Sequence, residues 1–285
     1  MSQKTTVLAV FLAITLAGSA MAATVVVQTQ TAGNQTQETS YLRVAHASPD
    51  APAVDVAVDN ETVLTNVSFG AVSEYMALDS GNHTVTITAN GTDTVVFEDT
   101  VTLDRRTVTT LAASGEVSED ADMAFEPVTY NDNAWTPAEN ESAVSVIHLS
   151  PDAPAVDVTA NDGAVVLADN LSYQDASDYV SVPEGTHTVE IRENTADENG
   201  TVVATVNVTV EEESAYSALA LGYLTPEDEP ADTPFQVSMT EDATTTVHLP
   251  SEEMGPPEEP GNASEAPGEG PPEEPGNQSE APGEA

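Results

Sequence analysis

The chain has 285 residues, 49 of them Asp or Glu against 5 Lys or Arg, a formal net charge of −44 at pH 7, and no cysteine. That balance excludes a disulfide scaffold, a cysteine-ligated zinc or iron–sulfur site, and any nucleic-acid binder that works through a basic face. A hydrophobic share of 39% suffices for packed cores and is too small for a protein embedded in a membrane.

The N-terminus starts Met1-Ser2-Gln3-Lys4, continues as an uncharged apolar run from Val7 to Ala17, and reaches Ala20-Met21-Ala22. A basic start, an apolar centre and a small-residue ending predict a secretory signal peptide over residues 1–22, with no membrane span left after cleavage. Because the uncharged stretch runs on to Val27, an uncleaved N-terminal anchor is the competing reading. Residues 23–40, rich in Thr and Gln, read as a stalk.

A repeat organises the middle of the chain. His46-Ala-Ser-Pro-Asp-Ala-Pro-Ala-Val-Asp-Val56 returns as His148-Leu-Ser-Pro-Asp-Ala-Pro-Ala-Val-Asp-Val158, an offset of 102 with ten of eleven residues identical. Further pairs follow: Phe69 with Tyr173, Tyr75 with Tyr179, Gly81-Asn-His-Thr-Val85 with Gly185-Thr-His-Thr-Val189, and Phe125 with Phe235. Two tandem domains are expected, residues 41–130 and 142–248, joined by a linker over 131–141. In the first, strands are predicted at 42–47, 54–59, 62–67, 74–78, 83–89, 94–103, 107–112 and 125–129. Val54, Val56 and Val58 alternate with Asp55, Ala57 and Asp59, as Val206, Val208 and Val210 do with Asn207 and Thr209, so one face is buried and the other wet. Asn90-Gly91, Asn199-Gly200 and Asn161-Asp-Gly163 sit where tight hairpins are expected.

No segment has helical periodicity, and seven or eight half-buried strands in some 90 residues must cover their apolar faces. The predicted class is all-β: two tandem Ig-like antiparallel β-sandwich domains, followed by a disordered acidic tail over 249–285. In that tail a 15-residue Pro/Glu/Gly unit starts at Gly255 and again at Gly270, a composition that cannot build a core. The single tryptophan, Trp135, lies in the linker and is read as packing at the domain junction in preference to a ligand platform.

The repeated motif invites a functional reading through His46, Ser48 and Asp50 with His148, Ser150 and Asp152. Its two prolines three apart, with an Asp able to accept backbone N–H bonds, point instead to a rigid turn that starts a strand. Neither a nucleophile elbow nor a Gly-rich oxyanion loop accompanies it. A second constellation uses strand parity: His46 and His83 in the first copy, His148 and His187 in the second, each lean toward the core side near a strand end. If the strands run antiparallel in one sheet these ends meet, and Asp50 or Asp55, with Asp152 in the second copy, completes a metal or ligand site; if they run parallel the histidines lie at opposite ends, and satisfied structural histidines are the other reading. No calcium loop, phosphate loop, zinc-protease motif or dinucleotide fingerprint occurs, so no cofactor is expected. Eleven Asn-x-Ser/Thr sequons, with Asn60, Asn90 and Asn199 at predicted turns, suggest a glycosylated exported surface.

The acids are spread over turns, polar strand positions and the tail. Such a surface repels itself in dilute buffer and is screened in about 1 M salt, where the Debye length is about 3 Å. The composition resembles that of proteins from halophilic archaea.

The repeated Ala-His-Ala-Ser-Pro-Asp-Ala-Pro-Ala-Val-Asp-Val, the Gly-x-His-Thr-Val strand and a late Ala-rich strand ending in Gly resemble the domain of unknown function DUF4397, found in secreted bacterial and haloarchaeal proteins. Leu149 departs from the motif in the second copy. The resemblance implies an exported β-domain, often tandem, and carries no catalytic residues. The expected function is therefore that of a secreted or cell-surface, non-enzymatic binding or adhesion module whose partner is an envelope protein or surface glycan. The alternative is an extracellular metal- or small-ligand-binding protein that uses the rim His and Asp residues.

Overall fold

A computed structural model describes residues 39–118, 121, 123–195 and 200–244. The signal peptide, most of the stalk, Asn199, the end of the second domain and the tail repeat lie outside these residues. The first copy forms β1 (Thr39–His46), β2 (Val54–Val58), β3 (Glu61–Val67), β4 (Met76–Asp79), β5 (Gly81–Ala89), β6 (Val95–Leu103), β7 (Val108–Ala113) and β8 (Val128–Asn131). The second forms β9 (Glu141–Leu149), β10 (Val156–Ala160), β11 (Val165–Leu171), β12 (Val180–Pro183), β13 (Gly185–Glu193), β14 (Val202–Val210), β15 (Ala215–Leu221) and β16 (Gln236–Asp242). Among the described residues no helix is long and apolar enough to cross a membrane.

Each copy is a sandwich of two four-stranded sheets, ordered β4-β1-β7-β8 over β3-β2-β5-β6 and, in the repeat, β12-β9-β15-β16 over β11-β10-β13-β14. An immunoglobulin constant domain sets four strands against three. Here four face four, and the central pairs β1–β7 and β9–β15 run parallel while their neighbours are antiparallel. The last strand of the first copy begins at Val128 and not at the expected 125, because the amides of Phe125 and Glu126 are taken by the carbonyls of Glu116 and Ser114. The turn residues behave as their chemistry requires. Asp59 and Asn60 take φ of 51° and 67°, and Asn161 and Asp162 take 55° and 57°, a left-handed conformation that Asn and Asp tolerate best after glycine.

The alternation in β2 is real: Val54, Val56 and Val58 are buried while Asp55 and Ala57 are only partly covered. They meet Val85 and Ile87 of the same sheet and Leu42, Val44 and Leu111 of the facing one. Burying a side chain of this kind stabilises by about 1.5–3 kcal/mol. β9 and β15 do not alternate, and nearly every residue in them is buried. The reason is a second contact. On β1 and β7, Ala45 and Ala112 turn away from their own core and pack with Ile147 and Leu149 of β9 and Leu219 and Leu221 of β15. The inner sheets of the two copies therefore lie face to face, each covered on both sides, as near-continuous apolar strands demand.

Candidate functional site: the domain interface

The repeated motif is spent on the turn. His46 Nε2–H donates to the Pro52 carbonyl at 3.0 Å and His148 Nε2–H to that of Pro154 at 3.1 Å, so each imidazole closes the loop that follows it. Asp50 accepts the amides of Val117 and Ser118, and Asp152 those of Leu224 and Thr225, tying the turn to the segment after β7 or β15. Asp55 accepts the Asn66 amide and Asn90 Nδ2; Asp157 accepts the amides of Asn170 and Thr195 and Asn194 Nδ2. Ser48 Oγ donates to Asp50 and Ser150 Oγ to Asp152 and the Gly222 carbonyl; the serine hydroxyls bond to these oxygens and not to an imidazole, while the Ser150 amide donates to His148 Nδ1. Burial lowers the pKa of His46 and His148 below the usual histidine value, against carbonyl bonds that favour the charged form.

The other two histidines stand elsewhere. His83 Nδ1 lies 2.7 Å from Asp59 Oδ2, and its Nε2–H donates to the Asp79 carbonyl. Burial opposes its charge, but these two partners outweigh burial and raise its pKa. His187 has Asn161 in place of the Asp and donates Nε2–H to the Pro183 carbonyl.

The expected meeting of His46 with His83, and of His148 with His187, does not occur. The motif turn carries the chain from one sheet to the other, and β2 then runs antiparallel to β5 with Val58 opposite Val85. His46 thus bonds to Pro52 before β2 and His83 to Asp59 after it, at opposite ends of a five-residue strand that spans about 17 Å. Among the described residues no group of three or more His, Cys, Asp or Glu is placed to hold a metal ion. Of the sequon candidates, Asn60 is exposed at its turn, whereas Asn90 uses its side-chain amide to hold Asp55.

The interface holds what reasoning from motifs missed. Arg43 on β1 is 1% exposed. Its Nε donates to Thr110 Oγ1 at 2.6 Å, its Nη1 to Thr240 Oγ1 and the Glu241 carbonyl across the interface, and its Nη2 to Asp242 Oδ1. The guanidinium sits 4.6 Å from the centre of the Tyr75 ring and 3.5 Å from Asp132 Oδ2. Asp132 Oδ2 also accepts the Tyr75 and Thr110 hydroxyls; in the repeat, Asp242 Oδ2 accepts those of Tyr179 and Ser217. Two buried carboxylates thus share one cation. Burial, with Asp242 adding to it, pushes the Asp132 carboxyl up to about 6 despite Arg43.

Beside this cluster a cavity of about 390 Å³ opens, with Asp132, Ser145 and Ser217 at its floor, Tyr179 and Trp135 on its wall, and Asn131, Asn133 and Asp178 at its mouth. Trp135 is 46% exposed and meets the Tyr179 ring edge-on at 6.0 Å between centres. It does pack at the domain junction, as its place in the linker predicts, and it also lines the opening. The available signal was Arg43 itself: a lone charge in an apolar strand is buried only when paired.

Known proteins add a family and little more. No curated protein matches the chain. Three solved structures show weak likeness. The TIE protein of Bacillus anthracis aligns at 12% identity and TM-score 0.22 over 65% of this chain, which spans 33% of that protein's length. A family CBM26 carbohydrate-binding module from Eubacterium rectale Amy13K, solved with maltoheptaose, aligns at 10% identity and TM-score 0.23 over 72% of this chain and 97% of its own. A leucine-rich repeat protein from Bacteroides thetaiotaomicron aligns at 13% and 0.17 over 66% and 26%. At such TM-scores these alignments carry no argument about this chain. The model of the domain of unknown function DUF4397, by contrast, matches residues 40–159 and again 142–249. With both sandwiches covered and the His-x-Ser-Pro-Asp turn present in each, the chain belongs to the DUF4397 family as a tandem pair.

Proposed function

We propose that this protein is an exported, non-enzymatic binding module of the cell surface of a halophilic archaeon, and that it binds at the junction of its two domains. One observation carries the reading. The polar side chains of the repeated motif are consumed by the turn, while the junction leaves an open cavity lined by the only tryptophan, a second aromatic ring and a buried carboxylate. Concave sites with aromatic walls and a few placed polar groups are where small ligands and partner side chains bind. Export is supported by the N-terminal signal pattern, and high salt by 49 acids against 5 bases, since only screening relieves that repulsion. The partner is an envelope protein or a surface glycan.

Fractionation in a halophilic host tests this reading. The full chain is expected with the envelope and Trp135→Ala in the medium; equal partitioning of the two, or retention of the full chain in the cytosol, refutes it. Circular dichroism against KCl tests the salt dependence, and equal stability at low and high salt refutes that part.

A further inference from the structure

The two copies are related position by position, and Arg43 of the first has Ser145 of the second as its counterpart at the motif's own offset of 102. Strand register extends the equivalence: Arg43 lies opposite Thr110 as Ser145 lies opposite Ser217, and Thr110 opposite Tyr130 as Ser217 opposite Thr240. Asp132 and Asp242 each stand two residues after these last partners.

Arg43 fills a seat made of Thr110 and Tyr75 in its own domain and Thr240, Glu241 and Asp242 across the interface. The counterparts of those five are Ser217 and Tyr179, then Tyr130, Asn131 and Asp132. All five line the cavity, and Ser145 lies at its base. The carboxylates agree. Asp242 Oδ2 accepts two hydroxyls and its Oδ1 holds Arg43. Asp132 Oδ2 accepts the corresponding two hydroxyls, and among the described residues no hydrogen bond to Asp132 Oδ1 is found. Asp132 is 1% exposed, and an ionised oxygen so placed calls for a cation. The cavity is thus the counterpart of the Arg43 seat, lined by Ser145 where the first copy has the arginine, with Trp135 added beside Tyr179 as a second ring against which a cation can rest.

We propose that the interdomain cavity binds a guanidinium group, from a free alkylguanidinium compound or from an arginine side chain of a partner protein. The group would bond Asp132 Oδ1 and Ser217 and lie against Tyr179 and Trp135. This inference rests on the cavity being the binding site, and goes beyond it in naming the ligand's charge and shape. Excluding water from the floor keeps the attraction effective in salt that screens exposed charges.

The chain's single tryptophan makes the test direct. In high KCl, L-arginine and agmatine are expected to change Trp135 fluorescence saturably, while citrulline, of nearly the same shape without the charge, acts at least tenfold more weakly. Ser145→Arg, which places a tethered guanidinium in the seat, is expected to remain folded and lose the response; Asp132→Asn is expected to weaken it at least tenfold. A blocked peptide with a central Arg separates the sources: binding as tight as that of agmatine assigns the seat to a partner's side chain, and binding of agmatine alone assigns it to a small molecule. Equal response to arginine and citrulline, or a response that survives Ser145→Arg, overturns the proposal. A response to oligosaccharides and none to arginine also overturns it, while leaving the cavity as the binding site.

Discussion

The two domains share a turn and differ at their common face. In both, the His and Asp of the motif make corresponding bonds: imidazole Nε2–H to proline carbonyl, carboxylate to two amides of the segment after the seventh strand. At the interface the first copy supplies Arg43, Ala45 and Ala112, and the second supplies Ser145, Ile147 and Leu219. Small side chains on one sheet receive large ones from the other, and a single arginine serves two aspartates. What is equal in the copies holds the sandwich together; what differs makes two sandwiches into one body and leaves a cavity on one side of the pseudo-symmetric pair.

The largest effect is expected where the copies differ most. Arg43→Met leaves Asp132 and Asp242 facing each other without their cation, a loss of about 3–5 kcal/mol, read by urea unfolding in high KCl. Adding Asp132→Asn to that variant is expected to recover part of the loss. No recovery would show that the cluster is held by packing alone.

The shared contacts come next. Asp50→Ala and Asp152→Ala each strip two backbone amides of their acceptor and are expected to cost about 1–3 kcal/mol. Similar costs in the two domains would confirm that the motif is a structural clasp, and a large difference would mean that one copy uses it otherwise.

Protonation separates the regions by sign. Asp132 has a raised folded-state pKa, so its charged form is a burden that is present above pH 6 and is relieved as pH falls from about 6 toward its unfolded value. A rise of about two units corresponds to about 3 kcal/mol at most. His46 and His148 work in the opposite sense. Their folded values are lowered, so stability is lost as pH falls through the ordinary histidine range, where a second ring proton on His148 would face the Ser150 amide. Asp132→Asn removes the compensating gain and is expected to make the protein more sensitive to acid between pH 7 and 5. An unchanged slope would refute the assignment.

The smallest effect concerns the second histidine pair. His83 meets an aspartate and His187 an asparagine, so His83→Gln is expected to reduce stability below pH 6.5 and to matter less as pH rises through the raised folded value. Asp59 is exposed, so solvent screening holds the effect below about 1 kcal/mol. Parallel thermal melts at pH 5.5 and 8 decide it.

Much of the fold was legible because its signals are local. Val54, Val56 and Val58 announce a half-buried strand, and Asp59-Asn60 announces its turn, by forces that act over a few residues. The clasp formed by His46 and Asp50 was legible as a turn, though not the partners Val117 and Ser118, which lie far along the chain. The site was less legible. Parity placed His46 and His83 on inward faces but could not say on which sheet, and a single crossover put them at opposite ends. Trp135 could be read as junction packing, yet not as the wall of a cavity.

Composition and short-range pattern were enough for the all-β class, the tandem repeat, the rigid motif turns and the acidic composition. That the inner sheets of the two copies pack face to face emerged from the three-dimensional arrangement alone. Only it brought Arg43 across to Asp242, 199 residues away, and set Asp132 beside the interdomain cavity. Which two sheet faces will cover each other depends on the summed fit of many distant side chains, and no local pattern encodes that sum.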